Sequence, residues 1–348
     1  MNTTQQPTES QEPRSGQARG RGLLLLVLSL ALVAAACSSD GDSSDTTLAP
    51  TTTAAQTTTT APTTTAAPTT TVAPAPAPTT SAPTTTSTSG TTTTTSPESA
   101  LAECVASLVP GSSAVPCEGE VYDLGIPEEC FATPCGLIVD FPPSGLNGEQ
   151  TDAYTNMKAL GNAAGYVVVQ PNSSRAGKDR VFFDALIDAL DIDVSRVHVG
   201  GASAGGSQAW YFVCHHTDLI ASAAPHASGR VYCESEGNRL PDEQVDILML
   251  HGRKDPAFAQ AVTQLEFVIG SWGMTANEVL ADEPTYQRTR WTNEQGTVLE
   301  FVEFDWTTPT GDGHCYPGGV GRGGCGADTP IHYGEAALDF YIAHPKDV

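Results

Sequence analysis

From Cys135 to the C-terminus, short runs of aliphatic and β-branched residues alternate with longer stretches whose apolar positions recur at helical spacing. Leu137 to Phe141, Tyr166 to Gln170, Arg196 to Gly200, Asp246 to Leu250 and Thr297 to Phe304 read as strands. Gln150 to Ala163, Asp179 to Leu190, Gly205 to His215, Pro256 to Ile269 and Ile331 to Ala343 read as the helices between and after them. Strands that are apolar throughout and alternate with helices predict an α/β fold, a mostly parallel sheet with helices on both faces. In such sheets ligands bind beyond the carboxyl ends of the strands, so chemistry is sought there.

Upstream the pattern changes. Arg14, Arg19 and Arg21 precede a Leu-rich run from Leu23 to Val33 that ends in Ala34, Ala35, Ala36 and Cys37. This apolar run is shorter than the roughly 20 residues a spanning helix needs, and residues 1–36 read as a signal peptide. Small residues before a Cys, with Ser38, Ser39 and Asp40 after it, resemble the lipobox of bacterial lipoproteins, although Ala34 stands where Leu is usual. That resemblance implies diacylation of Cys37 and contact with the membrane through the lipid anchor only, which places the protein outside the cell on the outer face of a bacterial membrane. Residues 37–97 then form the anchor Cys and a linker. Thr supplies 26 of the 52 residues from Thr46 to Pro97, and a Thr/Pro/Ala tract almost without large apolar residues buries no core. At about 3 Å per residue, such a spacer reaches on the order of 150 Å when extended.

Removing that segment concentrates the charge. The whole chain of 348 residues carries −24, and residues 98–348 hold 35 Asp or Glu against 13 Lys or Arg. A nucleic-acid partner, which needs a basic face, is excluded on this ground. Besides Cys37 there are eight cysteines, an even number in an exported chain, which reads as a disulfide framework. Of the 105 pairings open to eight Cys, sequence proximity favours Cys104 with Cys117, Cys130 with Cys135, Cys214 with Cys233 and Cys315 with Cys325. No paired C-x-x-C spacing exists and the histidines are scattered, so no metal is expected.

The strand ending at Gly200 runs into Gly201-Ala202-Ser203-Ala204-Gly205 and then a helix. A G-x-S-x-G between strand and helix marks a strained turn that exposes a serine nucleophile, here Ser203, with the Ala204 N–H directed at a developing oxyanion. Serine needs a base held by a carboxylate, and in this context the chain order is Ser, acid, His. Asp255 follows the strand ending at Leu250 and is the best acid; Asp305 and Asp312 are rivals. His314, in the glycine-rich loop Gly311 to Gly319, is the best base, because His215 and His216 fall on a helix, His198 in a strand and His344 in the tail. His226 and His251 are second choices, read as pocket or structural residues.

Four stretches together resemble the secreted esterase family that includes polyhydroxybutyrate depolymerases and feruloyl esterases, within the α/β-hydrolases. They are Gly136-Leu137-Ile138-Val139-Asp140, Tyr166-Val167-Val168-Val169-Gln170-Pro171-Asn172, the Ser203 turn, and His314-Cys315-Tyr316-Pro317-Gly318-Gly319. The last resembles the family's H-T-W-P-G-G, with Tyr316 where Trp is usual. The resemblance spans residues 130–345 and implies an α/β-hydrolase fold with a Ser203, Asp255, His314 triad. It also exposes a departure. After the first strand the family has a His-Gly pair whose loop gives a second oxyanion donor, whereas this chain reads Asp140-Phe141-Pro142-Pro143-Ser144-Gly145. Proline has no N–H, so alignment moves that donor to Ser144.

The expected activity is therefore ester hydrolysis through an acyl-enzyme by a serine esterase, without cofactor. Hydroxyalkanoate oligomers or short acyl esters lead as substrates. Feruloyl or acetyl esters of plant cell walls are the alternative, and a non-catalytic hydrolase-like surface lipoprotein is the rival outside enzymes. Tyr316 and Trp306 are candidate substrate walls; the sequence assigns no oligomeric state.

Overall fold

The computed structural model describes residues 97–173, 179–229, 233 and 239–347. The residues read above as signal peptide and lipid anchor, and the Thr-rich stretch up to residue 96, lie outside them. The described part is built on one ten-stranded sheet in the order β1-β2-β4-β3-β5-β6-β7-β10-β9-β8. Its centre is β3 (Gly136–Phe141), β4 (Tyr166–Pro171), β5 (Val197–Ala202), β6 (Ser222–His226), β7 (Asp246–Gly252) and β10 (Val298–Phe304), all mutually parallel. Antiparallel hairpins extend both edges: β1 (Gly111–Cys117) with β2 (Glu120–Ile126), and β8 (Ala276–Glu283) with β9 (Tyr286–Thr292). Glu118 and Gly119 both have positive φ, 49° and 80°, the backbone of a two-residue turn whose twist matches its strands. Apart from the added β9–β8 hairpin, this strand order and polarity are those of an α/β-hydrolase fold.

Period-two alternation sorts the central strands into two cores. Leu137, Val139, Val167, Val169, Val197, Val199, Ile247 and Met249 join one core. Ile138, Val168, Leu248 and Leu250 join another on the opposite side. The first is covered by α1 (Pro97–Val105), α4 (Arg180–Leu190), α5 (Ala204–His215) and α6 (Phe258–Ser271), the second by α3 (Met157–Ala163) and α7 (Tyr333–Ala343). The helix expected from Gln150 to Ala163 is instead two helices, α2 (Gly148–Thr155) and α3. Asn156 between them sits at φ 52°, a left-handed turn that interrupts the helical path. An Asn147–Gln150 capping box starts α2.

All four disulfides are present as paired above: Cys104–Cys117, Cys130–Cys135, Cys214–Cys233 and Cys315–Cys325. They indicate an oxidising compartment. Among the described residues no helix is long and apolar enough to cross a membrane.

Candidate active site

Ser203 stands between β5 and α5 with φ 57° and ψ −117°, a backbone that costs a non-glycine residue strain. The turn is held by the Ser203 N–H donating to the His226 carbonyl at 2.9 Å. Two residues earlier, on β5 itself, Gly201 accepts a large positive φ of 145°, and its N–H donates to the Tyr333 hydroxyl at 2.8 Å. A Cβ at Gly201 would lie 2.5 Å from the Phe141 carbonyl oxygen, and one at Gly205 would collide with the same atom. The two glycines thus let the end of β3, and the loop after it, lie directly against the serine turn.

Asp255 occupies the turn after β7 and is 5% exposed. Its Oδ1 accepts the Ala257 N–H at 2.8 Å. Its Oδ2 lies 2.7 Å from His314 Nδ1 and 3.1 Å from His251 Nε2. Burial alone would raise the Asp255 carboxyl, but the two imidazoles and the Ala257 N–H outweigh it and hold the group well below the usual carboxylate range. The same contact with Asp255 raises His314 against the opposing effect of burial.

The His314 loop is seated backbone to backbone on the Asp255 turn. Gly313 N–H donates to the Lys254 carbonyl at 3.4 Å, and side chains at Gly252 or Gly313 would break this approach. Asp312, a rival acid, accepts the His314 N–H at 2.9 Å, and Asp305 is taken by Arg253 at 3.0 Å. His226 is fully buried behind the site, with its ring nitrogens at the carbonyls of Leu250 (3.1 Å) and Cys315 (2.9 Å). Burial, with the neighbouring His251, lowers its pKa to about 3, against the two carbonyl contacts, and a neutral ring donates to one of these two carbonyls.

Ser203 and His314 share a cavity of about 180 Å³ that is also walled by Ser144, Leu146, Tyr154 and Tyr316. Their side chains are not hydrogen-bonded to each other among the described residues. Such bonds often tighten only when substrate is bound. Ser144 stands in the loop after β3 on the cavity wall, and Ala204 opens α5, where the first N–H groups have no acceptor within the helix. Tyr316 is buried in the wall and stacked on Tyr154 at 5.2 Å.

Trp306, expected as a second wall, is not there. It stacks on Phe304 at 5.0 Å and lies against Tyr286 at 5.6 Å. Tyr154 was absent from the expectations, and nothing in its α2 context signals a cavity wall. His251 was foreseen only as a pocket or structural residue; its position four residues before Asp255, at a strand end, is the signal that places it on the carboxylate. Cys37 lies outside the described residues. The arrangement offers a hydroxyl on a strained turn, an imidazole and a buried carboxylate, which is the chain of groups that proton transfer from serine requires.

Neither a protein-family model nor a curated protein matches the sequence. Solved structures similar to it include an acetyl xylan esterase from Aspergillus awamori, with TM-score 0.48 and 14% identity over 64% of this chain and 93% of that one. An S-formylglutathione hydrolase from Staphylococcus aureus gives 0.36 and 13% over 43% and 80%. A feruloyl esterase module from Clostridium thermocellum gives 0.33 and 15% over 45% and 69%.

Proposed function

We propose that the protein is a serine esterase working through an acyl-enzyme. Ser203 Oγ attacks the ester carbonyl while His314 takes its proton and then gives it to the leaving alcohol; water repeats the sequence and releases the acid. Asp255 fixes the imidazole tautomer through Nδ1 and stabilises the imidazolium. The N–H groups of Ala204 and Ser144 take the oxyanion. The observation that carries this reading is the 2.7 Å contact between His314 Nδ1 and the buried Asp255 carboxylate, made on the cavity that also holds Ser203.

The cavity, at about 180 Å³, is below the roughly 300–1,000 Å³ of drug-sized ligand sites, which favours short acyl groups over a feruloyl group. Hydroxyalkanoate oligomers and short acyl esters are the proposed substrates. With this goes a lipid anchor at Cys37, which Cys37→Ser should abolish in a palmitate-labelling experiment on the expressing cell. Hydrolysis of p-nitrophenyl butyrate and fluorophosphonate labelling are expected for the wild-type chain, and both should vanish in Ser203→Ala. Full activity in that variant, or a wild-type chain that neither labels nor hydrolyses, overturns the assignment; the second result favours a non-catalytic surface protein.

A further inference from the structure

His226 closes β6 and takes no part in the proton transfers assigned above, yet it bonds to both sides of the site. Its backbone carbonyl accepts the Ser203 N–H at 2.9 Å. Its ring nitrogens lie at two further carbonyls, Nδ1 at Leu250 (3.1 Å) and Nε2 at Cys315 (2.9 Å), and Cys315 follows His314 in the chain. Burial keeps the ring neutral, so it holds one proton for two acceptors. The Leu250 carbonyl already accepts the Ala227 N–H at 3.0 Å. No other donor reaches the Cys315 carbonyl among the described residues, and Cys315 is buried, where a carbonyl without a donor is costly. The proton therefore belongs on Nε2, which donates to Cys315.

Three buried rings hold the imidazole in that orientation: Tyr333, Tyr316 and Phe304, at 5.1, 5.5 and 6.2 Å between ring centres. Ahead of His314 the chain is seated on the Asp255 turn through Gly313 and Lys254. After it, Cys315 is fixed by His226, whereas the Cys315–Cys325 bridge ties the loop to itself. The His226 attachment is made by the residue whose backbone also holds Ser203, so the two ends of the proton transfer are registered through one residue. We propose that His226 is a positioning residue, which donates from Nε2 to the Cys315 carbonyl and thereby sets the reach between Ser203 and His314. The inference rests on the esterase reading and adds to it a residue whose ring exchanges no proton with the substrate.

Glutamine carries its amide nitrogen at the reach of imidazole Nε2 and asparagine at that of Nδ1, so His226→Gln and His226→Asn together ask where the donor is needed. With p-nitrophenyl butyrate, kcat is expected to stay within about threefold of wild type in His226→Gln. It should fall about 10- to 100-fold in His226→Asn, as a misplacement on the order of 1 Å does, with KM nearly unchanged. In an Asp255→Asn background the same His226→Asn change should cost less than about threefold, because groups that act as one unit are not additive. Equal kcat in the Gln and Asn variants overturns the proposal. So does a His226→Asn loss of the same size in both backgrounds, which is what a merely structural role would give. Long-range proton–nitrogen NMR correlations of the His226 ring, identified by their absence from His226→Gln, read the tautomer without turnover: an Nε2–H form supports the proposal and an Nδ1–H form overturns it. A wild-type chain that cleaves no ester defeats the esterase reading, while the tautomer still decides the contact with Cys315.

Discussion

Two tyrosines of α7 face the same stretch of β5, and removing one hydroxyl from each should have opposite effects. Both are fully buried, and their oxygens lie where a side chain at Gly200 would otherwise be. Tyr333 Oη accepts the Gly201 N–H at 2.8 Å and donates to the Ala224 carbonyl at 3.0 Å, so it bridges β5 to β6 two residues before Ser203. Tyr341 Oη has no partner among the described residues. In Tyr333→Phe two buried backbone groups lose their partner, at about 1–3 kcal/mol each, or roughly 2–6 kcal/mol together. At about 2–4 °C per kcal/mol for a domain of this size, the melting temperature should drop by at least about 4 °C. Tyr341→Phe removes an unsatisfied polar atom and keeps the ring, so its melting temperature should hold or rise. Thermal melts followed by circular dichroism, with disulfides intact, decide the matter. A Tyr333→Phe protein within about 0.5 kcal/mol of wild type, or two variants shifting the same way, would refute the reasoning by showing that β5 and β6 close on each other once the phenol is gone.

Three further outcomes are expected. Asp255→Asn should lower kcat on p-nitrophenyl butyrate by about 10⁴-fold, as a wrong imidazole tautomer does in a serine protease. Because Asp255 raises the His314 pKa, the acid limb of the residual pH–rate profile should move to lower pH, and a limb that stays in place argues against His314 as the base. Replacing Cys315 and Cys325 together by Ser should cost about 2–3 kcal/mol in denaturant melts and lower kcat/KM, since the bridge begins one residue after His314. Burial pushes Asp140 up from 3.8 to about 6, against hydrogen bonds from Gln170 and Thr155. Between those values the folded chain keeps a proton that the unfolded chain has lost, so stability should fall by about 3 kcal/mol as pH rises through the window; Asp140→Asn should flatten that slope in pH-dependent unfolding.

The elements legible in the sequence were those whose residues face an apolar core. The strands β3, β4, β5, β7 and β10 and the helices α4, α5, α6 and α7 declare themselves by period. The β9 strand does not, because Arg288 and Arg290 project from it onto the buried Glu300 carboxylate, in contacts of 2.5 to 2.7 Å, where apolar side chains would mark a strand. Its partner β8 is exposed along most of its length and has no alternation to read. The β6 strand, Ser222-Ala223-Ala224-Pro225-His226, is wholly buried but small, and lacks the β-branched residues that signal a strand. Trp306 shows the limit for the site. Its place two residues after the end of β10 was readable, but the direction taken by the following chain was not. Asp255 was readable from its place after β7, whereas the pairing of its rival Asp305 with Arg253 is a tertiary contact that the sequence does not announce.

The G-x-S-x-G spacing records a tertiary contact as well as a local turn. Gly201 and Gly205 would each meet the Phe141 carbonyl if they carried a side chain, so the two glycines register where β3 ends against the start of α5. That contact is made by backbone, and it holds whatever side chains follow Phe141. The loop can therefore carry Pro142 and Pro143 and still be delivered to the cavity. Pro142 and Pro143 then remove two N–H groups from the loop, and Ser144, on the cavity wall, is the next residue able to donate.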